Sequence, residues 1–138
     1  LSGHTKAINE ISRILKSMKK RSILLPVSAP FHCSLMKHAS EKMEIKIKNT
    51  TFKNPKTSLV ANVTAREVNN SDEIKNLLIK QIVSKVRWRE SILYMIDKGV
   101  NDFIEIGPGK VLSSLVKRIN DKVSSKSINT IQEIKSLK

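Results

Sequence analysis

The residues with chemistry to offer cluster in Val27-Ser28-Ala29-Pro30-Phe31-His32-Cys33-Ser34-Leu35-Met36, with His32 at the centre. Histidine is the side chain suited to taking and returning a proton near neutral pH, which makes His32 the candidate general base. A base of this kind needs a hydroxyl or thiol nucleophile within hydrogen-bond reach and a group that holds its second ring nitrogen. Neither is written beside it. Adjacent side chains point in different directions, which disfavours a Cys33–His32 pair, and Ser28, Ser34 and Ser58 lie outside any Gly-x-Ser-x-Gly turn. A catalytic His32 therefore takes its nucleophile from chain that this sequence does not contain. The alternative is a turn histidine with no chemical task, and the segment alone leaves both open.

Other chemistries have weaker support. His4, His32, Cys33 and His38 are the soft metal ligands, and no pair among them has a spacing that recurs in zinc sites, so no metal is expected. His4 and His38 are expected at the surface or its boundary. Gly107-Pro108-Gly109-Lys110 follows a strand pattern and opens a helix, which invites a phosphate cradle. It lacks the four residues between Gly and Gly-Lys, and the following Ser or Thr, of a P-loop. A tight strand-to-helix turn is the favoured reading.

The elements that must position His32 can be read on either side of it. Ile23-Leu24-Leu25-Pro26-Val27 is strand-like, within an expected strand Ser22–Val27. Pro30 keeps Ala29 out of the helical region and fixes its own φ, so His32 is expected on a held corner. A helix follows, with Leu35, Met36, Ala39, Met43 and Ile47 on one face. Upstream, Ala7, Ile8, Ile11, Ile14, Leu15 and Met18 predict a helix over Thr5–Lys19, with Thr5 as its N-cap.

Downstream, Ser58–Asn62 predicts a buried parallel strand, and Ser71-Asp72-Glu73 opens a helix bearing Ile74, Leu77, Leu78 and Ile82. A further helix around Arg87–Lys98 carries Trp88, Ile92, Leu93 and Ile96 and ends at Gly99. The strand Val100–Ile106 and the helix bearing Val111, Leu112, Leu115, Val116 and Ile119 follow. From Asn120 the chain is polar and basic, with a last helical pattern near Ile131–Leu137. Helices interleaved with short apolar strands predict an α/β fold with a parallel sheet.

A chain of 138 residues holds one domain or part of one, and a first residue of Leu1 with a helix close behind fits a chain entered in mid-fold. The net charge of +14, from 26 Lys and Arg against 12 Asp and Glu, would attract phosphates, acidic proteins, nucleic acid or an anionic membrane. The basic residues are scattered, and an aromatic share of 4% leaves few platforms for stacking bases, so nucleic acid is not an expected partner. A lysine-rich composition inherited from a biased genome accounts for the charge equally well. Cys33 is the sole cysteine, which excludes an intrachain disulfide. Without a long apolar run or a signal-peptide pattern, no membrane is expected and the location is expected to be cytoplasmic.

Taken together, several segments resemble one family in order along the chain. The segment from Val27 to Met36 resembles the active-site histidine segment of the malonyl-CoA:acyl carrier protein transacylases. Leu1-Ser2-Gly3-His4 and the helix after it resemble part of that family's small subdomain, and Ala61-Asn62-Val63-Thr64 resembles its Asn-Val segment. The run from Gln81 to Ile92 resembles its Gln-x-x-x-Pro-Val-x-Trp-x-x-Ser helix pair, and Ile104–Leu112 its Glu-x-Gly-Pro-Gly-x-x-Leu signature.

The resemblance implies part of an α/β-hydrolase-like large subdomain together with the end of an inserted ferredoxin-like one. Residues 1–27 would be the end of the small subdomain, 28–119 the C-terminal part of the large one, and 120–138 a basic tail. It implies an acyltransferase of fatty acid synthesis that carries malonyl on a serine from coenzyme A to the phosphopantetheine thiol of acyl carrier protein. Malonyl-CoA and the carrier are substrates, and no cofactor is implied. His32 matches the family's base, and Gln81 the residue whose backbone carbonyl orients it. Phe31 matches a position that goes with malonyl selectivity in related polyketide acyltransferases, where Ser goes with the α-methylated substrate; simple packing is the other reading.

The departures are equally specific. The sequence has no Gly-His-Ser-x-Gly, no Gly-Gln-Gly for an oxyanion hole and no arginine assignable to the malonyl carboxylate, and Ser84 or Lys85 stands where the family often has Pro. The expected partners thus include a missing N-terminal portion of the same enzyme, and the chain alone is expected to be inactive. A polyketide synthase acyltransferase fragment, or a non-catalytic basic remnant binding an acidic partner or RNA, are the alternatives.

Overall fold

The chain divides between Arg87 and Trp88 in the computed structural model, which describes residues 1–137. This division is distinct from the family subdomains expected at 1–27 and 28–119.

In the first unit, α1 (Thr5–Ser17) follows His4, which occupies the N-cap position without a side-chain cap bond. The expected Thr5 cap is thus one residue too late. No residue of α1 is buried. The expected strand Ser22–Val27 does not form: the segment carries no ladder, and Ile23, Leu24, Leu25 and Val27 are exposed. A strand is defined by its neighbour, and none of the described residues supplies one. Pro26 and Pro30 instead each centre a three-residue turn, with Val27 N donating to Leu25 O at 2.8 Å and Phe31 N to Ala29 O at 2.9 Å.

A 3₁₀ turn (Ser34–Met36) leads into α2 (Lys37–Lys48). The face of α2 that packs holds Ser40 and Ile47, whereas Leu35, Ala39 and Met43 of the expected stripe are exposed. Buried Ser40 is satisfied by donating to Ile79 O at 3.3 Å. Strands β1 (Leu59–Ala61) and β2 (Arg66–Val68) pair antiparallel, Leu59 opposite Val68 and Ala61 opposite Arg66. The parallel strand expected at Ser58–Asn62 is therefore half of a hairpin. A short connection between neighbouring strands permits only the antiparallel arrangement, since parallel strands need a long crossover.

Helix α3 (Ser71–Gln81) is capped by Asn70, whose side-chain oxygen accepts from Asp72 N and Glu73 N, both at 3.0 Å. Its Ile74 and Leu77 pack with Ala61 and Val68 of the hairpin to form the first unit's core. Ile74, Leu77 and Val68 each contribute roughly 1.5–3 kcal/mol by this burial.

The second unit begins with α4 (Trp88–Asp97), closed by Gly99 at φ +88°. Strand β3 (Asp102–Ile106), α5 (Val111–Ile119) and β4 (Ser124–Ile128) form a strand–helix–strand unit, with β3 and β4 parallel and Asp102 opposite Ser124. The parallel pairing expected of the fold lies here. The polar tail expected over 120–138 contains β4 as well as a short helix, α6 (Ile131–Lys135). Ile92, Val116 and Val123 form the second core, flanked by Trp88 and Phe103.

Candidate active site

His32 sits at φ +61°, in the left-handed region that L-residues other than Asn, Asp and His seldom enter. The turn around Pro30 lies on one side of His32 and the 3₁₀ turn on the other. Its ring is exposed, and Nδ1 lies 3.0 Å from the carbonyl oxygen of Gln81. A carbonyl can only accept, so Nδ1 carries the proton in this contact, and in the neutral ring Nε2 keeps its lone pair.

Gln81 is the last residue of α3. Carbonyls in the final turn of a helix have no intrahelical partner, which is why this one is free to hold an imidazole. It also receives Ser84 N at 3.4 Å. The Gln81 side chain points elsewhere: its Oε1 accepts from Asn62 Nδ2 at 3.4 Å. Asn62 follows β1, and its own carbonyl accepts from Arg87 N at 3.0 Å. Sequence reasoning quoted Asn62 in a motif but gave it no role.

Two of the remaining sequence candidates, Cys33 and Ser58, are engaged apart from His32. The Cys33 thiol donates to Pro30 O at 3.1 Å, and the Ser58 hydroxyl donates to Glu67. Phe31 is 47% exposed, so its ring serves no core. Among the described residues, no group of three or more His, Cys, Asp and Glu is gathered to hold a metal ion, and no helix is long and apolar enough to cross a membrane.

The Gly107–Lys110 turn is occupied from within. Glu105 accepts from Leu112 N at 3.1 Å and Ser113 N at 2.8 Å, filling the start of α5 with a carboxylate of the protein's own. The Ser113 amide, aided by that of Leu112, holds the Glu105 carboxyl below the usual carboxylate range against the opposing effect of burial. Gly107 N donates to Ile128 O at 3.0 Å and Gly109 N to the Asn129 side chain at 2.6 Å. An incoming phosphate would find these amides taken, in keeping with a structural turn.

No family model matches the chain. Among known proteins, it is 42% identical over 136 residues to the malonyl CoA-acyl carrier protein transacylase of Staphylococcus aureus (strain MSSA476), covering 98% of this chain and 44% of that protein. The chain is a relative of the malonyl CoA-acyl carrier protein transacylases. The acyl-carrier-protein S-malonyltransferase of Bartonella henselae superposes with a TM-score of 0.90 at 37% identity, over 97% of this chain and 43% of that one. A malonyl-transacylase solved in complex with its type II PKS acyl-carrier protein matches with a TM-score of 0.89 at 33% identity, over 98% of this chain and 44% of that one. The mixed helix and strand arrangement is thus that of the transacylases. The chain spans less than half the length of these transacylase relatives.

Proposed function

We propose that this chain is the C-terminal, base-bearing portion of a malonyl CoA-acyl carrier protein transacylase, acting in the cytoplasm. The observation that carries the reading is the contact of His32 Nδ1 with the Gln81 carbonyl at 3.0 Å. It fixes the tautomer that leaves Nε2 as a base, and it does so with a neutral group. A carboxylate in the same place would set a second negative charge beside an anionic substrate.

In this reading, a serine supplied by the remainder of the enzyme attacks the thioester carbonyl of malonyl-CoA as Nε2 of His32 takes its proton. The tetrahedral adduct collapses, and the imidazolium returns that proton to the departing coenzyme A thiolate. His32 then deprotonates the phosphopantetheine thiol of the carrier, which attacks the acyl-serine, and the proton goes back to the serine oxygen. Phe31 stands next to the base and crowds the malonyl Cα, opposing an α-methyl group. Residues 1–27 belong to the small ferredoxin-like subdomain and the rest to the large one. The net charge of +14 favours both the coenzyme A phosphates and an acidic carrier. The solved complex of a related transacylase with a carrier protein supports that choice of partner.

The test is the mass of acyl carrier protein after incubation with malonyl-CoA, this chain and a separately made polypeptide carrying the serine. A malonyl gain that vanishes with His32→Ala is expected. No gain from two portions shown to associate would sink the reading, as would malonyl-serine formation on this chain alone.

A further inference from the structure

We infer that Asn62 is a positioning residue for His32, acting through Gln81. The four-residue connection of the β1–β2 hairpin reaches both ends of the segment that starts with the Gln81 carbonyl. At one end Asn62 Nδ2 donates to Gln81 Oε1 at 3.4 Å. At the other, Arg87 N donates to Asn62 O at 3.0 Å and the Arg87 guanidinium donates to Thr64 O at 3.3 Å. A single side chain and its own backbone carbonyl thus span residues 81–87, and the hairpin that bears them is anchored in the first core through Ala61 and Val68.

The local setting strengthens the amide pair. Asn62 and Gln81 are both half-buried and line one hollow of about 240 Å³, whose other walls include Ala61, Ile74 and Leu77. Among such apolar neighbours an amide finds few competing partners, and a hydrogen bond is stronger than in water. The turn that presents Asn62 is itself locked: Ala65 adopts φ +54° and its N–H donates to Ala61 O at 2.8 Å. By contrast, the Gln81 carbonyl lies at a helix terminus, where the i→i−4 ladder no longer fixes its direction. Beside the contact from Ser84 N, Asn62 supplies a further constraint through the Gln81 side chain.

The inference rests on the reading of His32 as a base held by Gln81, and the test separates the two. The ring nitrogens of His32 are read in two-bond nitrogen–proton correlation spectra of the ¹⁵N-labelled chain at a pH where the imidazole is neutral. The unsubstituted chain is expected to hold the Nδ1–H tautomer. Asn62→Ala is expected to lose that preference, and so is Gln81→Ala, which keeps the backbone carbonyl and removes only the amide; the double variant should lose no more than either. Asn62→Asp, opposite which the Gln81 amide can turn over and donate, is expected to restore it. Retention of the Nδ1–H tautomer in folded Asn62→Ala overturns the inference and leaves the base reading intact. If Asn62→Ala fails to fold, retention in Gln81→Ala overturns it instead. Absence of that tautomer from the unsubstituted chain overturns the base reading itself, and this inference with it.

Discussion

His32 and Gln81 meet across forty-nine positions of sequence, ring nitrogen to backbone oxygen at 3.0 Å. The acceptor is a main-chain atom, so the side chain at 81 is free to serve another partner, and Asn62 takes it. A histidine oriented in this way depends on where a helix ends rather than on another side chain. That dependence leads to the first expectation.

Replacing His32 should abolish malonyl transfer in the two-polypeptide assay without unfolding the chain. His32→Asn is the informative variant, because asparagine tolerates a positive φ where alanine is strained by about 1–2 kcal/mol. A loss of at least about 100-fold in carrier acylation is expected, the lower range for general-base catalysis. An acylation rate within a few-fold of the unsubstituted protein would remove His32 from the chemistry.

Phe31 should act on choice of acyl group and not on stability. With its ring 47% exposed, Phe31→Ser deletes little buried area, so the thermal midpoint should stay within about 2 °C. The ratio of malonyl to methylmalonyl transfer is expected to fall by about 10-fold, the discrimination one methyl group supports. An unchanged ratio, measured by competition between the two thioesters, would assign Phe31 no part in selectivity.

The candidate site was legible in the sequence as far as its residue types and order allowed, and resemblance supplied the rest. No residue pattern announces a backbone carbonyl, and nothing in the identity of Gln81 links it to His32. The fold was legible where one signal dominated: Ser71-Asp72-Glu73 marks the start of α3, though its cap is the preceding Asn70, and Gly99 marks the end of α4. It was illegible where pairing decides. Strand β4 is Ser-Ser-Lys-Ser-Ile, without an apolar run, and exists because β3 lies beside it. Ile23–Val27 has the apolar run and no neighbour, and forms no strand. In α2 the apolar stripe and the packed face differ, since Ser40 reaches a carbonyl of α3 that a methyl group could not satisfy.

Stability should fall with acid through Glu105. Its folded carboxyl titrates below the ordinary range because the amides of Ser113 and Leu112 favour the anion. The unfolded chain therefore binds the proton first as pH drops. The stabilisation is complete above the ordinary carboxylate range and declines as pH falls from that range through the lower folded value. Thermal midpoints of the protein and Glu105→Gln should differ at neutral pH and converge in acid. A gap that stays constant with pH would show that the carboxylate charge plays no part.

Gly109 should resist substitution for reasons of backbone alone. An added Cβ would meet open space, yet φ is +95°. Gly109→Ala is expected to cost about 1–2 kcal/mol, read as a lower denaturant midpoint at unchanged slope. A midpoint unchanged by Gly109→Ala would mean that the turn relaxes freely, and that the hydrogen bond to Asn129 does not fix it.

The exposed run at Ile23, Leu24 and Leu25 has a bearing on how the chain behaves in a crowded solution. Three successive exposed aliphatic side chains with unladdered backbone form a template on which another molecule can lay a strand. The run is bracketed by Lys19, Lys20 and Arg21 on one side and Pro26 on the other. Repulsion between like charges, and a residue with no amide proton to donate, are the two devices that keep such a template from growing into an aggregate.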